Sequence, residues 1–89
     1  MPRHAYVYLY VLKSKKDNQC YIGSTSDIRR RVREHNSGSV ISTKPRLPTE
    51  LVYYEAYKSE KDARHRETSL RLKSRAYAQL RERIINSIL

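Results

Sequence analysis

The chain has 89 residues and carries 19 lysines and arginines against 9 aspartates and glutamates, a formal net charge of +10. This length predicts a single domain, residues 1–89, with no room for a separate recognition module. The basic balance is typical of proteins that bind a polyanion, and nucleic acid is the expected partner.

The cysteine count and the hydropathy indicate the cellular compartment in which we expect the protein. The single cysteine, Cys20, excludes an intramolecular disulfide and a cysteine-rich zinc site. No apolar run approaches the length of a membrane span, and the start Pro2-Arg3-His4 is unlike a signal peptide. We therefore expect a cytoplasmic protein without a membrane partner.

The first predicted elements are two strands joined in a hairpin. Residues 6–12 are rich in aromatic and β-branched side chains, which favours a strand. A polar segment, 13–19, separates this strand from the apolar residues 20–23 and contains the turn formers Asp17 and Asn18. Alternation puts three tyrosines on one face and three aliphatic residues on the other. We expect the aliphatic face to meet helices and the tyrosine face to stay partly open. The two faces carry Tyr6, Tyr8 and Tyr10, and Val7, Leu9 and Val11.

A short helix is predicted next, at about residues 27–36. Residues 24–27 offer several N-caps, and residues 36–38 a stop, with Asn36 expected to act as a cap. Arg31 and His35 share one helical stripe with Ile28 and Val32, so the two polar side chains are neighbours one turn apart. Three arginines face outward, where they can meet solvent or phosphate. They are Arg29, Arg30 and Arg33.

Residues 36–48 read as a loop on the substrate side that carries Lys44 and Arg46. Residues 50–57 alternate like a third strand. Ser59, with Asp62 three residues later, resembles a capping box that opens a second helix, and Ser74 is a candidate cap for a last helix. The predicted fold is a small α/β (α+β) sandwich of three strands and three helices in the order β-β-α-β-α-α.

Glu67 is the acidic residue that the helical pattern turns inward. It falls on one stripe with Ala63 and Leu70, where an unpaired carboxylate would be costly. Two interpretations stay open from the residues alone: a functional carboxylate, or a buried ion pair with an arginine such as Arg66.

In this order and context, the motifs resemble those of the GIY-YIG nuclease superfamily. Tyr8-Leu9-Tyr10 is similar to the first motif, with Tyr and Leu replacing Gly and Ile, and Tyr21-Ile22-Gly23 matches the second. The resemblance continues along nearly the whole chain and is strongest with the short stand-alone bacterial and viral proteins of the superfamily. It implies that the core is a three-stranded antiparallel sheet flanked by helices. Larger relatives, such as repair and homing endonucleases, have extra DNA-binding domains.

The resemblance implies five site residues: Tyr10, Tyr21, Arg31, His35 and Glu67. Glu67 matches the glutamate that holds one Mg²⁺ or Mn²⁺ ion, and Arg31 the arginine that contacts the scissile phosphate. One of the two tyrosines would accept the proton of the attacking water, with Tyr10 preferred, or His35 would relay that proton. Where many relatives have a lysine four residues after the glutamate, this chain has Arg71. The expected nucleic-acid contacts are Arg29, Arg30, Arg33, Lys44, Arg46, Arg71 and Lys73.

The function implied is metal-dependent endonuclease activity on nucleic acid, with DNA expected, in a role such as DNA repair. The alternative is a catalytically inactive nucleic-acid-binding module or a component of a repair complex. Specificity would come from the loop at 37–48 or from a protein partner. A binder, however, needs no buried carboxylate opposite an anionic ligand.

Overall fold

The computed structural model describes residues 5–89 and is built on one three-stranded antiparallel sheet. The strands are β1 (Val7–Ser14), β2 (Cys20–Thr25) and β3 (Thr49–Tyr57), and the order β2-β1-β3 places β1 in the centre. Helices flank this sheet, which confirms the predicted fold class and element order. Residues 1–4, which belong to the predicted domain and include Pro2-Arg3-His4, lie outside the described residues.

One helix precedes β3 and three follow it. They are α1 (Ile28–Asn36), α2 (Glu60–Leu72), α3 (Ser74–Arg83) and α4 (Ile85–Ile88). The last predicted helix is therefore divided at Ile84, which leaves the helical conformation. The loop between α1 and β3 contains a single 3-10 turn at Lys44–Arg46. Within residues 5–89, no helix is both long enough and apolar enough to span a bilayer.

The starts of α1 and α2 agree with the sequence pattern, and the hydrogen bonding of the second cap differs from it. Asp27 is the N-cap of α1, and its side chain accepts a hydrogen bond from the Arg30 N–H. Ser59 occupies the N-cap of α2, but its side chain makes no capping hydrogen bond in the described chain. The predicted capping box is therefore wrong. Acidic residues in the first turn of α2, including Asp62, still complement the positive helix end.

Two further caps predicted from sequence are wrong because other contacts take their place. Extended Lys73 both ends α2 and begins α3, so Ser74 is already the first helical residue. Asn36 does not cap α1 with its side chain. Its amide instead accepts from the Thr49 N–H at 2.8 Å and donates to the Thr49 carbonyl at 3.1 Å. These bonds attach the end of α1 to the start of β3.

The two faces of the sheet are covered differently. The aliphatic face forms the core, as expected: side chains of β1 and β2 pack there against α2, α3 and α4. On the tyrosine face, α1 and the following loop bury Tyr10, which is 1% exposed, so the expectation of an open face is wrong at this position. The same face is open at Tyr6 and Tyr54, which are 47% and 54% exposed. The core residues are Leu9, Val11, Ile22, Leu70, Leu80, Ile84 and Ile88.

Candidate active site

The site begins with the close approach of Tyr10 to Gly23. The two residues are direct partners in the β1–β2 ladder, so their side-chain positions lie on the same face. A Cβ at Gly23 would lie 2.5 Å from the Tyr10 hydroxyl oxygen and 2.7 Å from its Cζ. The ring of Tyr10 therefore crosses the edge strand over the space that a side chain would fill. Glycine here lets the phenol reach the margin of the sheet.

Tyr10 is held by two polar residues of α1. Its hydroxyl oxygen lies 2.9 Å from Nε2 of His35, and Nε of Arg31 donates to it at 3.4 Å. His35 is fully buried, and its other ring nitrogen, Nδ1, lies 2.7 Å from Oγ1 of Thr43. Thr43, also fully buried, donates to the Val40 carbonyl at 3.5 Å. The structure thus joins α1, β1 and the loop through one continuous chain of hydrogen bonds.

The donors and acceptors of this chain are compatible with one arrangement of protons. Arg31 only donates, so the Tyr10 oxygen accepts from it and can donate its own proton to His35. The Thr43 hydroxyl, 3.5 Å from the Val40 carbonyl, can donate its single proton there and accept from Nδ1–H. In that tautomer, Nε2 of a neutral His35 is the bare nitrogen and can receive a proton from Tyr10.

The pKa shifts agree with this assignment. Burial lowers the pKa of His35 below its ordinary 6.5, and the nearby Arg31 charge lowers it further, so the imidazole is neutral at pH 7. Burial raises the pKa of Tyr10 above 10, although the hydrogen bond from Arg31 opposes the shift. The hydrogen bond to Tyr10, followed by the one to Glu34, raises the pKa of Arg31, which stays charged. The free protein therefore holds a protonated phenol against a neutral imidazole.

Tyr21 and Arg31 lie beside the Tyr10–His35 pair, and Arg31 is partly exposed to solvent. The Tyr21 ring lies edge-on to His35 with ring centres 5.0 Å apart, and 6.3 Å from the Tyr10 ring. The Arg31 side chain is 35% exposed and donates through one terminal nitrogen to Glu34 at 3.0 Å. A guanidinium has five N–H donors. Arg31 can therefore hold Tyr10 and Glu34 and still offer donors to an anion.

Glu67 reaches the site from α2 on the other side of the edge strand. Its Oε1 accepts from the Ser24 hydroxyl at 2.6 Å, and its Oε2 pairs with Arg71 at 3.2 Å. Its side chain is 19% exposed. The expected alternative, an ion pair of Glu67 with an arginine, does form, but the partner is Arg71 instead of Arg66, which pairs with Glu55 at 3.0 Å.

A cleft of about 350 Å³ brings these groups together at the β2 edge. Four of the five site residues predicted from sequence line it, and His35 lies directly behind Tyr10. Arginine side chains from α1 and α2 enter from opposite sides. This arrangement suits an anionic ligand. The lining residues are Tyr10, Tyr21, Gly23, Ser24, Arg31, Arg64, Glu67 and Thr68.

The acidic content of the cleft limits how it can hold a metal. Across residues 5–89, no group of three or more His, Cys, Asp or Glu side chains could hold a metal ion. Among the cleft-lining residues, Glu67 is the single carboxylate. Mg²⁺ is commonly bound through one or two carboxylates, with waters and phosphate oxygens as its other ligands. The residues therefore fit one such ion bound together with an anionic substrate.

The predicted nucleic-acid contacts have different surroundings in the structure. Arg29, Arg30 and Arg33 are exposed on α1, and Lys44 and Lys73 are also exposed. Arg46 lies 3.8 Å from Asp17, and Arg71 is engaged by Glu67. The Arg71 pairing shows that this arginine approaches the candidate metal ligand itself.

Sequence reasoning missed four residues of the site. Ser24 orients Glu67, Thr43 orients His35, and Arg64 and Thr68 line the cleft. Ser24 follows Tyr21-Ile22-Gly23 directly, so its proximity could have been inferred from the second motif. Thr43 and Arg64 carry no local signal, because each meets its neighbours only through the tertiary fold.

Comparison with known proteins agrees with this geometry. A family model described as the GIY-YIG catalytic domain matches residues 6–81. The chain is 42% identical over 69 residues to a UPF0213 protein of Streptococcus pneumoniae, covering 76% of this chain and 69% of the relative. It is 36% identical over 75 residues to a UPF0213 protein of Haloquadratum walsbyi, covering 83% of each. No solved structure gives a significant match. The chain therefore belongs to the GIY-YIG catalytic domain family, a family of nucleases.

Proposed function

We propose that this protein is a metal-dependent endonuclease that hydrolyses phosphodiester bonds in nucleic acid, with DNA as the expected substrate. The observation that carries the proposal is the directed hydrogen-bond chain from Arg31 through Tyr10 to neutral His35, beside a cleft that also holds Glu67. A module that only binds nucleic acid gains nothing from a buried proton path. Family membership supports nuclease chemistry on a nucleic acid in general.

Hydrolysis needs a base for the attacking water, and Tyr10 and His35 supply one together. The Tyr10 oxygen accepts a proton from the water while its own O–H proton passes to Nε2 of His35. The products of this step are a hydroxide that attacks phosphorus, a neutral phenol and an imidazolium. The phenol never becomes a free phenolate, so its raised pKa does not block the reaction. Thr43 holds the imidazole in the required tautomer.

Charge develops on the phosphate oxygens during attack, and Arg31 is placed to stabilise it. Its remaining N–H donors face the cleft, where bidentate contact with two phosphate oxygens is favourable. Tyr21 lies over His35 at the mouth of the same cleft and would orient the nucleophile or phosphate. Substrate binding displaces water here, which strengthens each of these interactions.

Nucleases of this family generally use a divalent metal ion, and Glu67 is the residue that would hold one, Mg²⁺ or Mn²⁺. When bound, the ion would neutralise phosphate charge and stabilise the leaving oxygen. The Ser24 hydroxyl holds Oε1 of Glu67 in place. Arg71 balances the carboxylate in the free protein and would turn to a phosphate once a cation takes over that charge.

A cleavage assay over several substrates tests the proposal. Labelled single-stranded, duplex and branched DNA and single-stranded RNA are incubated with Mg²⁺, Mn²⁺ or a chelator. Cleavage is expected with metal and not with chelator, and Glu67→Gln should abolish it while Asp62→Asn, at an exposed acid of the same helix, should not. Full activity of Glu67→Gln would overturn the metal role. Salt-sensitive binding without turnover in either metal would instead favour the inactive binding module.

A further inference from the structure

A second cleft, of about 390 Å³, lies on the tyrosine face of the sheet and has no role in the chemistry above. Tyr8 and Tyr54 form one of its walls, with ring centres 5.8 Å apart and an angle of 70° between the ring planes. Ile28 and Leu51 add apolar surface, and Arg29 stands at the rim. The acidic member of the cleft, Asp27, is engaged as the N-cap of α1.

A surface of aromatic rings next to cationic groups favours one kind of ligand. Tyr54 is 54% exposed, and the ring contact that it makes among the described residues is the edge-on one with Tyr8. A nucleobase has a flat π-face that stacks on aromatic rings, and it carries its own anionic backbone. The apolar wall would meet the base, and Arg29 and the net charge of +10 would meet the phosphates. An acidic or neutral peptide would leave one of these two features unused.

The wall formed by Tyr8 and Tyr54 lies close to Tyr10 of the candidate active site. Tyr8 lies two residues before Tyr10 on the same face of β1, a distance of about 7 Å along the strand. Tyr54 is the direct partner of Tyr10 in the β1–β3 ladder. Neighbouring strands lie about 4.8 Å apart, so β3 is about 10 Å from the β2 edge at which the candidate active site lies. A base on this wall would therefore belong to a nucleotide close to a phosphate held at Arg31.

We propose that Tyr8 and Tyr54 form a stacking site for one unstacked nucleobase of the substrate strand, close to the cleaved bond. This inference rests on the proposed function and adds a substrate contact to it. A base within a regular duplex cannot offer its face to a protein wall, so the base comes from a single strand or is turned out of a duplex. Tyr8 stands where the first family motif has glycine, and a glycine would remove half of the wall.

Fluorescence of 2-aminopurine tests the stacking site directly. The base analogue is placed at successive positions of an oligonucleotide, single-stranded or duplex, and titrated with protein in the presence of chelator. We expect wild type to quench the signal at a restricted set of positions. Tyr54→Ala should lose this quenching and weaken binding roughly 5- to 100-fold, the effect of losing one stacked base. Tyr54→Phe should retain both. The matched control is Tyr6→Ala, an exposed tyrosine of the same face outside the cleft.

The two proposals fail in different ways. Quenching without turnover in either Mg²⁺ or Mn²⁺ would leave the stacking site standing and remove the nuclease proposal. Metal-dependent cleavage with Tyr54→Ala indistinguishable from Tyr6→Ala in quenching and affinity would overturn the stacking site alone. A change of the signal only in the single strand identifies that strand as the source of the base, and a change also in the duplex identifies a flipped base. Circular dichroism melts confirm that each variant is folded.

Discussion

Gly23→Ala is the substitution whose effect follows most directly from the geometry. The added methyl carbon would lie 2.5 to 3.0 Å from three atoms of the Tyr10 ring, where ordinary contacts begin near 3.4 Å. The ring is rigid and 1% exposed, so it must shift by about 1 Å instead of turning away. Overpacking of this kind typically costs about 1–3 kcal/mol of unfolding free energy. A 1 Å displacement of a catalytic group lowers the rate about 100-fold.

The assay is a double-mutant cycle with Tyr10→Ala, followed by urea denaturation and by single-turnover cleavage. In the Tyr10→Ala background, the new methyl group enters empty space, so Gly23→Ala should cost little there. A coupling energy of about 1 kcal/mol or more is expected. Gly38→Ala is the control, because Gly38 has a φ of +83° and its added Cβ meets nothing closer than 4.0 Å. It should be destabilising through backbone strain, yet additive with Tyr10→Ala. Equal costs of Gly23→Ala in both backgrounds would refute the reasoning.

Three further predictions concern proton positions. Because cleavage needs neutral His35, whose pKa lies below 6.5, the single-turnover rate should rise with pH through that pKa and stay level from pH 7 to 9; an inflection above pH 7 would contradict the relay. Thr43→Val should leave Nδ1–H buried without an acceptor, lowering unfolding free energy by about 1–3 kcal/mol and slowing cleavage, whereas Thr43→Ser should restore both. Burial would raise the pKa of Glu55, but hydrogen bonds from Arg66 and two tyrosines outweigh it and lower the pKa below 4.5, so its stabilisation is present above about pH 4.5 and is lost at more acid pH. Glu55→Gln should therefore be less stable than wild type in urea at pH 7, with a smaller difference at pH 3.

The sequence predicts most of the fold because its local signals agree with one another. Alternating tyrosine and aliphatic residues define β1, and the helical stripe of α1 places Arg31 and His35 one turn apart. Asp27 marks the start of α1, where its side chain accepts a hydrogen bond from the N–H of Arg30, three positions later. Such contacts depend on short separations, which sequence patterns express directly.

Contacts between distant segments were not predictable in the same way. Thr43 meets His35 only because the loop folds back over α1, and Asn36 binds Thr49 instead of its own helix end. Whether Glu67 pairs with Arg66 or Arg71 depends on where Glu55 stands on β3. The burial of Tyr10 follows from α1 lying on its face, which the tyrosine pattern alone does not reveal.

The most direct measurement of the central claim is the single-turnover cleavage rate of Tyr10→Phe in Mg²⁺, beside that of Tyr6→Phe. Tyr10→Phe keeps the ring over Gly23 and removes only the oxygen that joins Arg31 to His35. The account predicts a rate at least about 100-fold below wild type, within the usual contribution of general acid–base catalysis, and unchanged cleavage by Tyr6→Phe. A Tyr10→Phe rate within a few-fold of wild type would contradict the proton path and leave the base to another residue.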